Sequence, residues 1–314
     1  MKKEKIKVKA WGVAQIWNET FEAQQYPPKK RDYISAGDIG KSFLDRYYKM
    51  QGIEPTNPFD YRTLRVFSAG NEFHHLIHKI FEKIGLVINA EQYVEIPATD
   101  KTLKVLGYYD LKLGGKVNLK KAINMIKAQE FSEFVEKKAI ELAKYFKKKY
   151  PNGFTPIICE NKSINSNAFW ARKNYIGFGY IHHQMQLYTY LKATDIKRGV
   201  LLYISKDDLM IEECPMYNPT ERLEKIWIKD IEQMTYYIKN NIIPPKEDDI
   251  IWDEKKKKWI INWKVSWSSY FTKITGFKDS KEWEKSLRPK VNKLNKEYRD
   301  KYKKDSKKIK VGKK

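Results

Sequence analysis

Cysteine is almost missing from this 314-residue chain: only Cys159 and Cys214 occur. That shortage excludes a disulfide framework, a four-cysteine zinc site and a four-cysteine iron–sulfur cluster made from this chain alone. Long apolar runs are missing too, since none approaches the roughly 18 residues that a membrane helix requires. The opening Met1-Lys2-Lys3-Glu4-Lys5 leads into no apolar segment, so no secretory signal is expected. Acidic residues are the minority charge, with 39 Asp and Glu against 62 Lys and Arg and a formal net charge of +23. What remains is the expectation of a soluble, cytoplasmic, basic protein with an anionic partner. With 41% hydrophobic and 14% aromatic residues the chain has ample surface to bury, which argues against wholesale disorder.

The order of patterns predicts an α/β chain with one mixed sheet. The first thirty residues, with Trp11, Trp17 and Phe21 scattered among charges and ending at Tyr26-Pro27-Pro28, read as a peripheral strand or arm. A helix is expected from Ser35 to about Gly52, with Asp38 as its cap or first-turn acid. Apolar residues at 73, 76, 77, 80, 81 and 84 have helical spacing and stop at Gly85. Leu86 to Ile96 and Leu103 to Leu113 alternate as strands do. Lys116 to Lys149 is lysine-rich and helical, and it can be left out without interrupting the strand pattern, so it reads as an insertion. A short strand, Pro156 to Lys162, a long loop and a helix from Tyr180 to Ala193 follow. Val200–Ser205 and Leu209–Cys214 predict a hairpin, and Thr220 to Lys239 a further helix. Domain limits are expected at 1–280, with a core at about 35–240 and the insertion at about 116–150, followed by a basic tail at 281–314.

The strand Ile157-Ile158-Cys159-Glu160-Asn161-Lys162 places Glu160 and Lys162 on one face, because side chains alternate. Read alone, the two are an ordinary charged pair at a strand end. Gly107-Tyr108-Tyr109-Asp110 supplies a second carboxylate from the strand before the insertion. Asp110 and Glu160, converging from neighbouring strands, would suit a hard cation such as magnesium or manganese. Lys162 would then polarise an attacking water or neutralise phosphate charge. Within Phe73-His74-His75-Leu76-Ile77-His78, His74 and His78 lie one turn apart and would alternatively suit zinc. In Gln184-Met185-Gln186-Leu187-Tyr188-Thr189-Tyr190 two pairs stand on adjacent faces, Gln184 with Tyr188 and Gln186 with Tyr190. Spacing alone leaves open which pair faces a site.

Four short patterns run in sequence: Gly70-x3-His74, Gly107-x2-Asp110, Glu160-x-Lys162 and Gln184-x3-Tyr188. This order resembles the PD-(D/E)XK nuclease superfamily, and within it the RecB-type branch that includes CRISPR-adaptation exonucleases and many phage exonucleases. Ile34-Ser35-Ala36-Gly37-Asp38-Ile39-Gly40 also resembles the start of those domains. The resemblance spans roughly Ser35 to Ser205. It implies a restriction-endonuclease-like core in which His74, Asp110, Glu160 and the Asn161 main-chain carbonyl bind magnesium or manganese. It further implies that Lys162 is catalytic and that Gln184 and Tyr188 support the site. Several relatives carry a four-cysteine iron–sulfur cluster; none is expected here, and Trp263 to Tyr270 is expected to pack in its place.

The reading is therefore a metal-dependent DNA nuclease, an exonuclease of recombination, repair or phage DNA metabolism in a bacterial, archaeal or phage-infected cell. A helicase or recombination partner is expected beside DNA. The alternatives are an endonuclease on the same fold, an inactive DNA-binding accessory protein, and a zinc-bound structural protein. From Lys285 to Lys314 fourteen Lys and Arg face three acids, a run suited to phosphate contacts that carry no sequence information. Tyr298 and Tyr302 within it would either stack on bases or pack a helix.

Overall fold

The computed structural model describes residues 13–23, 28–83, 85–128, 132–172, 179–254 and 256–311, and the elements below are those of the described residues. Trp11, Tyr26, Pro27 and Ile84 lie outside them. The expected N-terminal strand or arm is instead a helix, α1 (Val13–Ala23), tied to α3 through the Asn18–Arg65 hydrogen bond. The helix expected at Ser35 also begins later. Ile34–Ser35 form a short strand, β1, Ala36–Asp38 a 3-10 turn, and α2 runs from Phe43 to Met50. Ser42 caps α2 by accepting from the Asp45 N–H, which satisfies one of the donors every helix start leaves open. Asp38 serves a different purpose, gathering Lys49, Lys41 and Arg31.

Helix α3 (Tyr61–Lys83) is longer than its apolar spacing indicates. Phe73, Ile77 and Phe81, four apart, pack on the sheet, while Leu76 and Ile80 are about half exposed. The sheet comprises β1, β2 (Val87–Ile96), β3 (Val105–Gly115), β4 (Phe154–Ile164), β5 (Arg198–Ser205) and β6 (Ile211–Tyr217). It is mixed: β1 and β4 run parallel to β3 and β5 respectively, and the other pairings are antiparallel. Helices α4 (Leu119–Lys127) and α5 (Glu133–Lys149) lie between two strands that pair directly with each other. The loop expected after β4 contains a helix, α6 (Ser166–Arg172). Helix α7 (Ile181–Thr194) lies within the parallel crossover from β4 to β5, and α8 (Glu221–Lys239) follows the β5–β6 hairpin.

Two apolar layers bury the sheet. On one face Ile158, Leu201 and Tyr203 pack with Leu187, Tyr190 and Leu191 of α7. On the other Cys159, Val200, Leu202 and Ile204 pack with Ile77 of α3. Central β5 is buried on both faces from Gly199 to Ser205, and its Val-Leu-Leu-Tyr-Ile run is what such a strand requires. The architecture is α/β, a mixed sheet flanked by helices. No described helix is long and apolar enough to cross a membrane.

The region from Ile250 onward differs most from expectation. Ile250–Asp253 and Lys258–Ile261 form a separate hairpin, β7–β8, followed by α9 (Trp263–Ser266) and α10 (Phe271–Thr275). The basic tail is a helix, α11 (Ser280–Val311), whose first half is docked. Trp283 is buried against Val265 and Phe271, Asn295 bonds both ways with the Trp259 backbone, and Tyr298 meets the Trp252 ring at 4.6 Å. Tyr298 therefore packs, whereas Tyr302 stays 68% exposed. The first half of the expected tail, to Tyr298, therefore belongs to this C-terminal unit.

Candidate active site

The β3 strand has two edges, and β2 occupies one of them from Val105 to Leu113. The other edge is shared: β1 pairs at Val105 and Leu106, and β4 pairs from Leu111 onward. Between them, Gly107 to Asp110 face a gap in the ladder. The gap is filled closely at Gly107, where a Cβ would lie 2.7 Å from the Ala36 Cβ and 2.8 Å from Tyr190 Cε1. Only a glycine admits both neighbours there.

Asp110 stands where β3 changes sides. Tyr109 joins the cluster beneath α7 and Leu111 the cluster beneath α3, although residues two apart in a regular strand share a face. Opposite Asp110 in the register sits Glu91, in the left-handed region at φ 47°. The distortion leaves the Asp110 side chain reachable from α3. Its Oδ1 lies 3.4 Å from His74 Nδ1, and its Oδ2 accepts from the Asn161 N–H at 2.6 Å. Burial alone would lower the His74 pKa, but the hydrogen bond and charge of Asp110 raise it. In an extended strand the N–H and C=O of one residue leave on the same edge. The Asn161 carbonyl accordingly faces the gap and not β5.

Glu160 and Lys162 share the face beneath α7, as the alternation predicts. Lys162 Nζ donates to Glu160 Oε1 at 2.7 Å and to Gln186 Oε1 at 2.9 Å. Gln186 in turn donates to the Tyr190 hydroxyl at 3.0 Å. The Glu160 side chain is 2% exposed and its Oε2 has no hydrogen-bond partner. Burial first, and the nearby Asp110 charge second, push Glu160 up to about 7. A carboxylate so placed lacks positive charge, since one lysine does not offset both burial and a neighbouring acid.

Of the two pairs left open by spacing, the structure brings Gln186 and Tyr190 to Lys162. Gln184 and Tyr188, which the resemblance selects, go elsewhere. Gln184 donates to the Gly179 carbonyl, and Tyr188 donates to Glu224 of α8 while packing against Trp227. The reason is helical phase: residues 186 and 190 face the sheet gap, and 184 and 188 lie about 200° around the helix from them. Of the two histidines that would alternatively suit zinc, His74 turns its Nδ1 to Asp110. Among the described residues no group of three or more His, Cys, Asp or Glu stands gathered as a ready metal cage. His74 and Asp110 instead face each other, Glu160 Oε1 is taken by Lys162, and Glu160 Oε2 is the orphan.

Two contributors left no signal in local spacing. Lys41, in the loop before α2, and His182, one turn before Gln186, both act electrostatically around Lys162. Loop and helix meet only in the folded chain. No family profile and no curated protein matches this sequence. Among solved structures, one described as "Crystal structure of SSO0001" is similar over 72% of this chain and 87% of its own, at 16% identity and a TM-score of 0.42. A likeness that distant carries no argument about this chain.

Proposed function

We propose that this protein is a divalent-metal-dependent deoxyribonuclease with a PD-(D/E)XK-type core, hydrolysing phosphodiester bonds. One observation carries the reading: at the gap in the sheet, a buried carboxylate with an orphan oxygen meets a lysine oriented by a glutamine. The donor set fits magnesium or manganese. Asp110, Glu160 and the Asn161 carbonyl offer the oxygen ligands that such ions take, with His74 beside them. The ion would polarise the phosphate and lower the pKa of a water.

The residues supply the rest. Asp110 is oriented by the Asn161 N–H at Oδ2 and by His74 at Oδ1. Of the three N–H donors on Lys162, two are engaged by Glu160 and Gln186. The third suits a phosphate oxygen, where charge grows as water attacks. Gln186 cannot rotate its amide freely, because its NH2 is committed to Tyr190. A lysine held this way is pre-organised for the transition state more than for ground-state binding.

The order of motifs favours exonuclease action in recombination, repair or phage DNA metabolism. The test is to incubate end-labelled linear DNA and closed circular DNA with wild type and Lys162→Ala in magnesium or manganese. Wild type should degrade the linear substrate, and nicked or linearised circles would indicate an endonuclease instead. Lys162→Ala should lose about a hundredfold or more in rate, as removal of one donor at a reacting oxygen does. Its DNA affinity in calcium should change only a few-fold. No cleavage by either protein across metals and substrates would reject the nuclease reading in favour of a DNA-binding protein.

A further inference from the structure

Three lysines surround the His182 end of α7. Burial first, then Lys41, Lys162 and Lys264, push His182 down to about 4. The loop carrying Lys41 touches this histidine, since a Cβ on Gly40 would lie 3.2 Å from the His182 Cβ. From the other side comes α9, where the Trp263 ring meets the His182 ring at 5.6 Å. His182 is one helical turn from Gln186, which accepts the Lys162 hydrogen bond. The C-terminal unit therefore reaches the rim of the candidate active site.

What it brings there is unusual for a packing element. Trp263 is 44% exposed, and Trp267, one turn further on, is 80% exposed. A large ring left that bare contributes little to the core, although covering it would bury on the order of 150–250 Å². The turn that carries both rings is pinned. Asn262 caps it and donates to the Asp248 carbonyl, Ser268 bonds Asp45 of α2, and Tyr270 donates to the Ile53 carbonyl. The nearby cations are weakly matched. Lys264 lies 3.9 Å from Glu247, and Lys41 shares Asp38 with Lys49 and Arg31.

We propose that Trp263, Trp267, Lys41 and Lys264 form a binding site for single-stranded DNA, which stacks unpaired bases on the indoles and sets phosphates against the ammonium groups. Delivery of that strand to Lys162 rests on the nuclease reading; the binding itself does not. The rings choose the strand type. An unpaired base offers its π-face to an indole, while a duplex keeps those faces stacked inside. The lysines supply attraction without reading sequence.

The test measures anisotropy of a labelled oligothymidylate, and of a duplex of equal length, in calcium. Wild type should prefer the single strand. Trp267→Ala removes a bare ring, so the fold should survive. It should weaken single-strand binding by about tenfold, within the range that loss of one base–aromatic stack produces, while duplex binding holds within about twofold. Lys264→Ala should reduce the single-strand log–log salt slope by about 0.7. Unchanged single-strand affinity in Trp267→Ala, or equal loss on both DNAs, would overturn the proposal. So would sedimentation showing self-association that Trp267→Ala abolishes, since the rings would then serve a second copy. Trp267-dependent binding by a wild type that cuts nothing would retain this site and reject the nuclease. Normal cleavage with unchanged binding would do the reverse.

Discussion

At Glu160 the fold accepts an expense that a purely structural protein avoids: a nearly fully buried carboxylate beside another acid, with one oxygen unpartnered. A cation binding there stabilises the folded state by mass action, about 2.7 kcal/mol at a hundred times its Kd. Manganese should therefore raise the melting temperature of wild type, and Glu160→Gln should lose most of that rise. An equal rise in both would move the metal away from Glu160. The Gln186–Lys162 contact sets a second comparison on α7. Gln186→Ala frees the lysine and should lower the cleavage rate by about tenfold or more, by the scale of lost electrostatic donors. Gln184→Ala removes only a bond to the Gly179 carbonyl and should leave the rate within about threefold. The reverse ranking in a single-turnover assay would restore the pair that the motif order selects.

Among the elements, β3 and α11 depart furthest from what local patterns convey. The β3 alternation is readable, but its change of side at Asp110 depends on Glu91 across the ladder, in the left-handed region. That switch makes one carboxylate reachable both from α3 and from β4. Helix α11 reads as a solvated cationic tail because its apolar residues are few and far apart. Trp283, Leu287, Asn295 and Tyr298 nonetheless hold its first half on β7–β8 and α10. Pro289 lies inside this helix and lacks the N–H that would bond the Lys285 carbonyl. Truncation from Lys285 should thus lower the melting temperature by at least about 3 °C, since about 1 kcal/mol corresponds to 2–4 °C in domains of moderate size. Truncation from Tyr302 should not. Equal melting of all three proteins in calorimetry would return α11 to the status of a free tail.

For the whole molecule, charge and buried histidine set the response to solution conditions. With a net charge of +23, binding to any polyanion must weaken steeply with salt. Acid stability follows from His182, whose folded pKa of about 4 lies below its ordinary 6.5 because of burial and then the surrounding lysines. Above 6.5 both folded and unfolded chains are neutral at this site and it contributes no pH dependence. Between 6.5 and 4 the unfolded chain binds a proton that the folded chain refuses, so stability falls as pH falls through that window. Below 4 the loss is complete. His183, pushed well down chiefly by burial, acts with the same sign, and Glu160, whose folded pKa is raised, with the opposite one, so the His182 contribution must be isolated by difference. Urea titrations across pH 4 to 7 should show a weaker acid loss in His182→Gln than in wild type. Parallel curves would show that His182 charges as easily folded as unfolded.

The sequence by itself determined the α/β class, the β3 and β4 strands, the helical character of the stretch between them, and the shared face of Glu160 and Lys162. Each follows from local alternation or periodicity, and a two-residue period needs no distant partner to be read. Spacing supplied both Gln–Tyr pairs, since each is i, i+4, while the motif order selected Gln184 and Tyr188. Only the tertiary structure decided that Gln186 and Tyr190 face the gap, through the rotation of α7 against Ala36, Gly107 and Lys162. It alone turned Trp263 toward His182, and it alone docked the first half of the basic tail. These choices rest on contacts between residues tens to hundreds apart in the chain, where one strand's missing partner becomes another element's place. Local spacing holds no record of such a vacancy; closing the sheet around it does.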